Sequence, residues 1–531
     1  MTLIANFAES FAFGGAGTRS PSSSSEDDQA APLLSFSSAL SYRSPWQRPG
    51  FWSLRRSLEM ITVGWVFGAV WITATGGAPL TLMAQHLGAT KFQFGLLAAL
   101  PFLASLVSLP ASLLIERTGQ RKRIFLWALY LQRLMWVLIA LCPLYMVSRY
   151  GMVTAGRAMA LVMVLMLIMH AAGSAGGPAW VSWMAEVVPE RVRGKFFSRR
   201  RQWGIVSSIP AALLAGWLMD RAIGGSSAGE AQSLLVLRWC AILFMCAAVF
   251  GLVDIHCFQH LPYAPKPPQT GARLLKSLAE PARDRRFMLF SAFVGVLTFT
   301  VSFANPFATL YLIDKVKVDN TQVQLVLVVG PMLAQLLILP VWGKMADRVG
   351  RKPILILAAS GMVPVGLGWC FLTGGNPWLG YVLSALGVAL WTGVDVANFN
   401  FVIDTSGASR SGGGTGYVAV NSVIINVAGC LGGLASGLIA ERLTGWNWQP
   451  WAGAKVLTFY DVLFALSGVM RLAAVVAFLP FIHEPAARGT WEALRFMGAM
   501  IFQGGQDLVI GVARAVMLPR APRWGRRLKP A

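Results

Sequence analysis

Residues 343–352 read Gly-Lys-Met-Ala-Asp-Arg-Val-Gly-Arg-Lys, a short polar stretch between two long apolar segments. The stretch fits the pattern Gly-x-x-x-Asp-Arg-x-Gly-Arg-Lys at every position. A small residue lets two helices approach closely, and glycine permits a tight turn. A carboxylate at a membrane edge can meet a helix N-terminus or an arginine. The stretch therefore predicts a tight loop between two membrane-crossing helices.

A degenerate copy of this loop lies in the first half of the chain. Residues 112–122 read Ser-Leu-Leu-Ile-Glu-Arg-Thr-Gly-Gln-Arg-Lys, with Ser for Gly, Glu for Asp and Gln for the first Arg of the basic pair. Two prolines precede each copy at nearly the same offsets: Pro101 and Pro110 in one, Pro331 and Pro340 in the other. The pattern predicts an internal repeat, which is common in secondary transporters.

The composition supports a membrane protein. Of 531 residues, 55% are hydrophobic and 13% are charged, whereas soluble domains carry about 25% charged residues. The high apolar content also excludes a largely disordered chain. Long continuous apolar runs predict helices, because the strands of a membrane barrel are shorter and alternate. Twelve such segments are predicted, at approximately 60–83, 94–115, 124–147, 158–185, 203–220, 234–256, 288–311, 322–343, 354–375, 378–403, 417–440 and 457–482.

The formal net charge of +22 follows the predicted topology. With the N-terminus in the cytoplasm, 34 of the 45 Lys and Arg residues fall on the cytoplasmic side, 8 on the other side and 3 within helices. This asymmetry obeys the positive-inside rule and predicts that both termini are cytoplasmic. The charge is thus a topology signal that argues against nucleic-acid binding and favours contact with anionic lipid headgroups.

The predicted units follow from the same pattern. The chain is expected to comprise a disordered cytoplasmic tail (1–58), a six-helix bundle (59–257), a cytoplasmic linker (258–287), a second six-helix bundle (288–483) and a cytoplasmic tail (484–531). The last tail is expected to hold an interfacial amphipathic helix, because a thirteenth crossing would export five basic residues. We expect an integral protein of a bacterial inner membrane and a monomer.

The two loops resemble the signature loop of the major facilitator superfamily, and the resemblance covers about residues 58–483. It implies an all-α membrane protein with twelve transmembrane helices in two pseudo-symmetric six-helix bundles. It also implies that the loops form a cytoplasmic gate whose contacts break as the bundles rock. The alternative is that the loops only enforce topology. The gating candidates are Gly343, Asp347, Arg348, Gly350, Arg351 and Lys352, with Glu116, Arg117, Gly119 and Arg121 as weaker counterparts.

Polar residues at lipid depth are costly, so they usually face a cavity or a partner. Several share one helix face at i, i+4 and i+7 spacing, and the resemblance places the first, fourth, seventh and tenth helices around a central path. The candidate substrate or coupling residues are Trp391, Asp395 and Asn398; Thr298, Ser302 and Asn305; His170 and Trp180; Asn426; Trp71 and Thr75; and Arg133 and Arg471.

Asp395 is the sharpest of these candidates. A carboxylate is hard to keep ionised at this depth, so reversible protonation would couple it to a proton gradient. The alternative is a structural partner for Arg133, Arg471 or His170. His170 is a second proton-carrying candidate, because imidazole ordinarily titrates between about pH 5 and 8. Arg133 and Arg471 would attract an anionic substrate or pair internally.

The sequence favours a secondary active transporter of a small solute, working by alternating access and coupled to protons. The alternative is a non-transporting member of the same fold, a sensor or an assembly factor that delivers a pigment or cofactor. The chain contains no His-Glu-x-x-His, phosphate-loop or Gly-x-Ser-x-Gly motif, so an enzyme is not expected. We expect no bound cofactor or metal, and the six cysteines are interpreted as packing residues.

The topology is testable with a reporter at either terminus. A protease-sensitive tag on the N- or C-terminus should be cleaved in inverted membrane vesicles and protected in intact cells, because both termini are expected in the cytoplasm. Cleavage of either tag in intact cells would contradict the charge-based topology.

Overall fold

The computed structural model describes residues 54–224, 229–263, 280–407, 414–449, 455–482 and 491–500. Within these ranges, twelve helical segments are long and apolar enough to cross a membrane, the predicted number. We number them spans 1 to 12. Their helices are Leu54–Thr75 and Ala78–His86 (span 1), Lys91–Ser105 and Ser108–Thr118 (2), Arg121–Tyr150 (3), Ala155–Val187 (4), Glu190–Ile223 (5), Glu230–Gln259 (6), Arg285–Tyr311 (7), Asn320–Gln324 and Gly330–Arg348 (8), Arg351–Gly368 (9), Trp378–Gly407 (10), Gly414–Arg442 (11) and Phe459–Phe478 (12).

Several spans are interrupted, and the interruptions have local causes. Span 1 breaks at Gly77, whose φ of 67° suits glycine. Span 2 breaks after Ser105, four to five residues before Pro110, whose ring clashes with the carbonyl four residues back. In span 8 the two helices are joined by one π-helical turn, Leu325–Val329. Such turns frequently mark functional sites.

The two halves repeat each other in packing as well as in sequence. Span 1 packs on spans 5 and 6, span 3 on spans 4 and 6, and span 2 on span 4. In the second half span 7 packs on spans 11 and 12, span 9 on spans 10 and 12, and span 8 on span 10. The main packing partners of these spans are therefore repeated six spans later, and the predicted pseudo-symmetric fold is confirmed.

The halves meet on the side of the molecule that carries loops 87–90 and 317–319, which we call the distal side. The opposite side, which carries Gly119 and Gly350, is the termini side. Span 2 packs on span 11 through its distal helix, Lys91–Ser105, and span 5 packs on the first turn of span 8. A Cβ atom added at Gly437 of span 11 would lie 3.0 Å from the Cα of Gly95 in span 2. Small residues thus bring the two backbones into contact.

A half-buried lysine joins two spans at the distal end of the second half. Strands Asn447–Trp448 (β1) and Leu457–Thr458 (β2) pair antiparallel before span 12. Beside them, Lys455 Nζ donates to Asp461 Oδ1 at 2.5 Å and to the Tyr311 hydroxyl at 2.8 Å. Burial alone would lower the pKa of Lys455, but the hydrogen bonds and charge interactions with Asp461 and Tyr311 together outweigh burial and raise it. Spans 7 and 12 are thereby tied together at this end.

The predicted tails are only partly described. Residues 491–500 are helical, with Ala493 fully buried and the Arg348 guanidinium 5.6 Å from the Phe496 ring centre. This segment packs beneath the second half, where the interfacial helix is predicted to begin. Residues 1–53 and 501–531 lie outside the described residues, as do 264–279 of the predicted linker.

Candidate functional site

Span 10 presents Trp391, Asp395 and Asn398 along one face. Trp391 and Asn398 are buried, and Asp395 is half-buried. The Oδ1 atom of Asn398 has no hydrogen-bond partner among the described residues. A buried acceptor without a partner costs about 1–3 kcal/mol. This face therefore offers an amide oxygen that a bound molecule or water can satisfy.

Asp395 lies within electrostatic range of a cation in the other half of the molecule. Arg201, a half-buried residue of span 5, acts electrostatically on the Asp395 carboxylate, and the Trp391 indole lies beside it. The sequence did not identify Arg201 as a site residue. Arg201 is one of six basic residues in a polar stretch, and these were interpreted as positive-inside charge. An electrostatic interaction thus crosses between the halves at the carboxylate with the strongest sequence signal.

Span 7 places its three candidates in different environments. The Thr298 hydroxyl donates to the Val294 carbonyl at 2.8 Å and is satisfied within its own helix. The Ser302 hydroxyl is buried and has no partner among the described residues. Asn305 is exposed although nearly all the neighbouring residues of this helix are buried. An exposed amide on an otherwise enclosed helix indicates an internal opening.

Spans 4 and 11 add further polar groups. His170 is half-buried, and its Nε2 atom has no partner within the described ranges. Trp180 packs edge-on against Phe197 with ring centres 5.9 Å apart. Asn426 bonds within its own helix, since its Nδ2 donates to the Ser422 carbonyl at 2.8 Å. The more deeply buried amide is Asn421, which the sequence did not select and whose Oδ1 has no partner among the described residues.

Arg133 is engaged inside the first half. Its Nη2 donates to Asp254 Oδ2 at 2.9 Å, and both side chains are more than nine-tenths buried. The guanidinium carbon lies 3.4 Å from the centre of the Trp71 ring, a close cation–π contact. Gly68 and Gly251 leave room for the pair, because a Cβ at Gly68 would lie 2.6 Å from Asp254 and one at Gly251 2.5 Å from Arg133. Arg133, Asp254 and Trp71 thus join spans 3, 6 and 1.

The side chains of Thr75 and Arg471 also bond to backbone carbonyls of the protein. The Thr75 hydroxyl is buried and donates to the Trp71 carbonyl at 2.8 Å. In span 12, Arg471 Nη1 donates to the Met362 carbonyl of span 9 at 3.0 Å. A Cβ at Gly366 would lie 3.1 Å from that Nη1 atom. Both arginines therefore make contacts within their own half.

The termini-side loops are braced within their own halves. Gly119 and Gly350 have φ values of 65° and 98°, which supports the predicted tight turns. Arg121 forms an ion pair with Glu186 at the end of span 4, and Arg351 forms one with Asp404 at the end of span 10. Each ion pair ties a loop to a neighbouring helix of the same half. Arg117 is exposed, and Lys352 is half-buried.

The two carboxylates predicted to gate are not part of these ion pairs. Asp347 is exposed and Glu116 half-buried, and neither forms a hydrogen bond or ion pair among the described residues. A Cβ added at Gly343 would meet no atom within 4 Å. The small residue and the carboxylate of the signature stretch therefore face open space, whereas glycines on the distal side contact the opposite half.

The comparisons with known proteins agree with this architecture. A sequence profile described as Major Facilitator Superfamily matches residues 60–420 and 292–499. The structure of a variant of the nucleoside transporter NupG has a TM-score of 0.57 and 16% identity, covering 81% of this chain and 100% of its own. The D-xylose-proton symporter gives 0.57 and 15%, covering 82% and 99%. A variant of the E. coli fucose:proton symporter gives 0.52 and 14%, covering 82% and 100%.

At these identities the likeness to solved structures shows the fold. No protein of curated function matches the chain.

The Arg133–Asp254 pair generates a stability prediction. Asp254→Asn leaves a buried guanidinium without its counter-charge, which typically costs about 3–5 kcal/mol. We expect a marked loss of folded protein after graded heating in detergent, measured by size-exclusion chromatography. The double variant Arg133→Gln with Asp254→Asn should recover much of the loss, because it removes both charges.

The matched control is the exposed pair Arg55–Glu59, whose N–O distance is 2.8 Å. Exposed pairs of this kind contribute at most about 1 kcal/mol, so Glu59→Gln should behave like the parent protein. An Asp254→Asn variant that is as stable as Glu59→Gln would show that the buried pair does not hold the first half together.

Proposed function

The chain belongs to the major facilitator superfamily, and we propose that it is a secondary active transporter that moves a small polar solute across a membrane by alternating access. The bundles would rock about a central site between spans 1, 4, 7 and 10. Both termini are proposed to lie in the cytoplasm of a bacterial cell, so that the distal side faces outward. The protein is proposed to work as a monomer.

The observation that carries this proposal is the difference between the two sides. Gly95 and Gly437 press spans 2 and 11 together on the distal side, while Gly343 of span 8 faces open space on the termini side. A protein that conducts solute by alternating access needs this asymmetry, with one end of the path sealed and the other open. We interpret the structure as the state open toward the termini side.

The solute is proposed to be polar and uncharged. Buried polar atoms without partners among the described residues occur on spans 7, 10 and 4: Ser302 Oγ, Asn398 Oδ1 and His170 Nε2. They offer neutral donors and acceptors. By contrast, Arg133, a cation suited to an anionic substrate, is paired with Asp254. Arg471 Nη1 donates to the Met362 carbonyl, while its Nε has no partner among the described residues. Similar-fold transporters of a nucleoside, xylose and fucose fit this class of solute.

Asp395 is proposed as the proton-coupling residue. When ionised, the carboxylate is attracted by Arg201 in the opposite half, so it helps to hold spans 5 and 10 in their present relation. Protonation removes that charge and weakens the tie between the halves. A proton bound at Asp395 would therefore change the energy of rocking, which is how a gradient drives accumulation. His170 of span 4, whose Nε2 has no partner among the described residues, is the second proposed proton carrier.

Transport in liposomes tests the function. Purified protein in vesicles with an acid exterior should accumulate some labelled neutral polar solutes, such as sugars or nucleosides, in preference to organic acids or cationic dyes. The accumulation should collapse with a protonophore. Failure to move any solute, together with co-purification of one specific protein, would favour the assembly-factor alternative.

Asp395→Asn separates coupling from binding. The amide keeps the size of the side chain but cannot release a proton, so gradient-driven accumulation should fall at least tenfold while solute exchange at equal concentrations persists. The matched control is Glu230→Gln, which changes an exposed carboxylate on the distal side. Undiminished accumulation by Asp395→Asn would remove this residue as the coupling site.

A further inference from the structure

The N-terminus of span 8 is capped by a carboxylate from the other half. Asp220, in the last turn of span 5, accepts hydrogen bonds from the backbone N–H of Asn320 at 2.7 Å and of Thr321 at 3.0 Å. It also accepts from Asn320 Nδ2 at 2.9 Å and from the Thr321 hydroxyl at 2.6 Å. Four donors thus converge on one side chain. A negative charge at a helix N-terminus is further stabilised by the helix dipole.

The N-cap residue of this helix, Asp319, does not cap it. Asp319 precedes span 8 in extended backbone, the usual N-cap position, yet its side chain makes no cap hydrogen bond. An aspartate at this position normally caps its own helix. In the present state the cap comes instead from Asp220, more than 90 residues away in sequence, and Asp319 remains available as a substitute.

A second carboxylate makes a related contact at the symmetric position. Glu441, in the last turn of span 11, accepts from the backbone N–H of Phe92 in the first turn of span 2 at 3.0 Å. Span 2 already has its own capping box, with Thr90 and Gln93 bonded reciprocally. The Glu441 contact is a single hydrogen bond and is exposed, so it is the weaker of the two.

Each carboxylate follows a glycine that contacts the same partner helix. A Cβ at Gly216 would lie 2.6 Å from the Cα of Thr321, and one at Gly437 would lie 2.9 Å from the Phe92 carbonyl oxygen. Glycine and carboxylate are four residues apart in both cases, one turn of helix, so they share a face. The glycine admits the partner backbone and the carboxylate binds the amides at its end.

The sequence repeats this arrangement at the ends of four spans. Span 5 ends in Gly-x-x-x-Asp-Arg (216–221) and span 11 in Gly-x-x-x-Glu-Arg (437–442). On the termini side span 8 ends in Gly-x-x-x-Asp-Arg (343–348) and span 2 in Ser-x-x-x-Glu-Arg (112–117). The two distal copies are engaged with the opposite half, whereas on the termini side Gly343 meets no atom within 4 Å.

We propose that Asp220 and Glu441 form a two-point latch that holds the distal side closed, with Asp220 as the dominant point. The latch consists of Gly216, Asp220, Gly437, Glu441 and the helix starts at 91–93 and 320–321. When the distal side opens, Asp319 replaces Asp220 as the cap of span 8. This replacement lowers the free-energy cost of breaking the Asp220 hydrogen bonds. This inference rests on the proposed alternating-access function, but it concerns residues with no part in solute binding.

Hydrogen exchange at the helix starts tests the latch without any transport assay. The Asn320 and Thr321 amides are among the first amides of a helix, which have no partner within that helix. In Asp220→Asn, peptides covering 320–324 should exchange at least threefold faster than in the parent protein in lipid nanodiscs. Glu441→Gln should give a smaller increase at residues 91–95. Asp220→Glu should retain part of the protection.

Asp319→Asn is the matched control, because asparagine caps a helix about as well as aspartate and the change leaves Asp220 in place. It should not alter exchange at 320–324. Asp319→Ala removes the substitute cap, so it should slow distal opening and lower exchange there. Equal exchange in Asp220→Asn and Asp319→Asn would overturn the latch.

Transport measured on the same variants keeps the two claims separate. If exchange responds as expected but the parent protein carries no solute, the latch stands and the transport proposal fails. If transport is present and Asp220→Asn leaves both exchange and the transport rate unchanged, the latch fails and the transport proposal stands.

Discussion

At Gly95 the backbones of spans 2 and 11 approach so closely that a Cβ atom would lie 2.5 Å from the Gly433 carbonyl oxygen and 2.5 Å from the Gly437 Cα. Between apolar helices in lipid, attraction comes from such close packing and from polar contacts, since lipid tails are as apolar as the helix surface. Such a contact is lost once the two backbones move a short distance apart. It therefore favours two arrangements, closed or open, and the present structure has the distal side closed.

The placement of charge fits two rigid halves joined by an adjustable interface. Within the halves, Arg133 pairs with Asp254, Arg121 with Glu186 and Arg351 with Asp404. Across the interface single carboxylates interact with the opposite half: Asp395 electrostatically with Arg201, and Asp220 by hydrogen bonds with the start of span 8. Breaking the Arg133–Asp254 pair would leave a buried charge alone, whereas each carboxylate at the interface has another way to be satisfied, by a proton or by water.

The sequence predicted the fold and the family because both leave strong local signals. Twelve apolar runs and the repeated loop at 343–352 are visible without any knowledge of packing, and the family profile and the solved structures confirm them. The site was harder to predict. Arg201 was masked by neighbouring basic residues, and Asp254 appeared to be near a span end although it is buried against Arg133. Asp220 gave no signal until its contact with span 8 was visible, because pairing between distant helices is not encoded in local spacing.

The central claim is that the two sides of the path open in alternation, and distances between the halves test it most directly. Spin labels at Ala231 and Gly375 report the distal side, and labels at Arg117 and Lys344 report the termini side, each pair in a background without the native cysteines. In nanodiscs, adding a transported solute at acid pH should produce a population with a longer distal label–label distance. An equal fraction of molecules should show a shorter label–label distance on the termini side. A change on one side without the opposite change on the other would contradict the account.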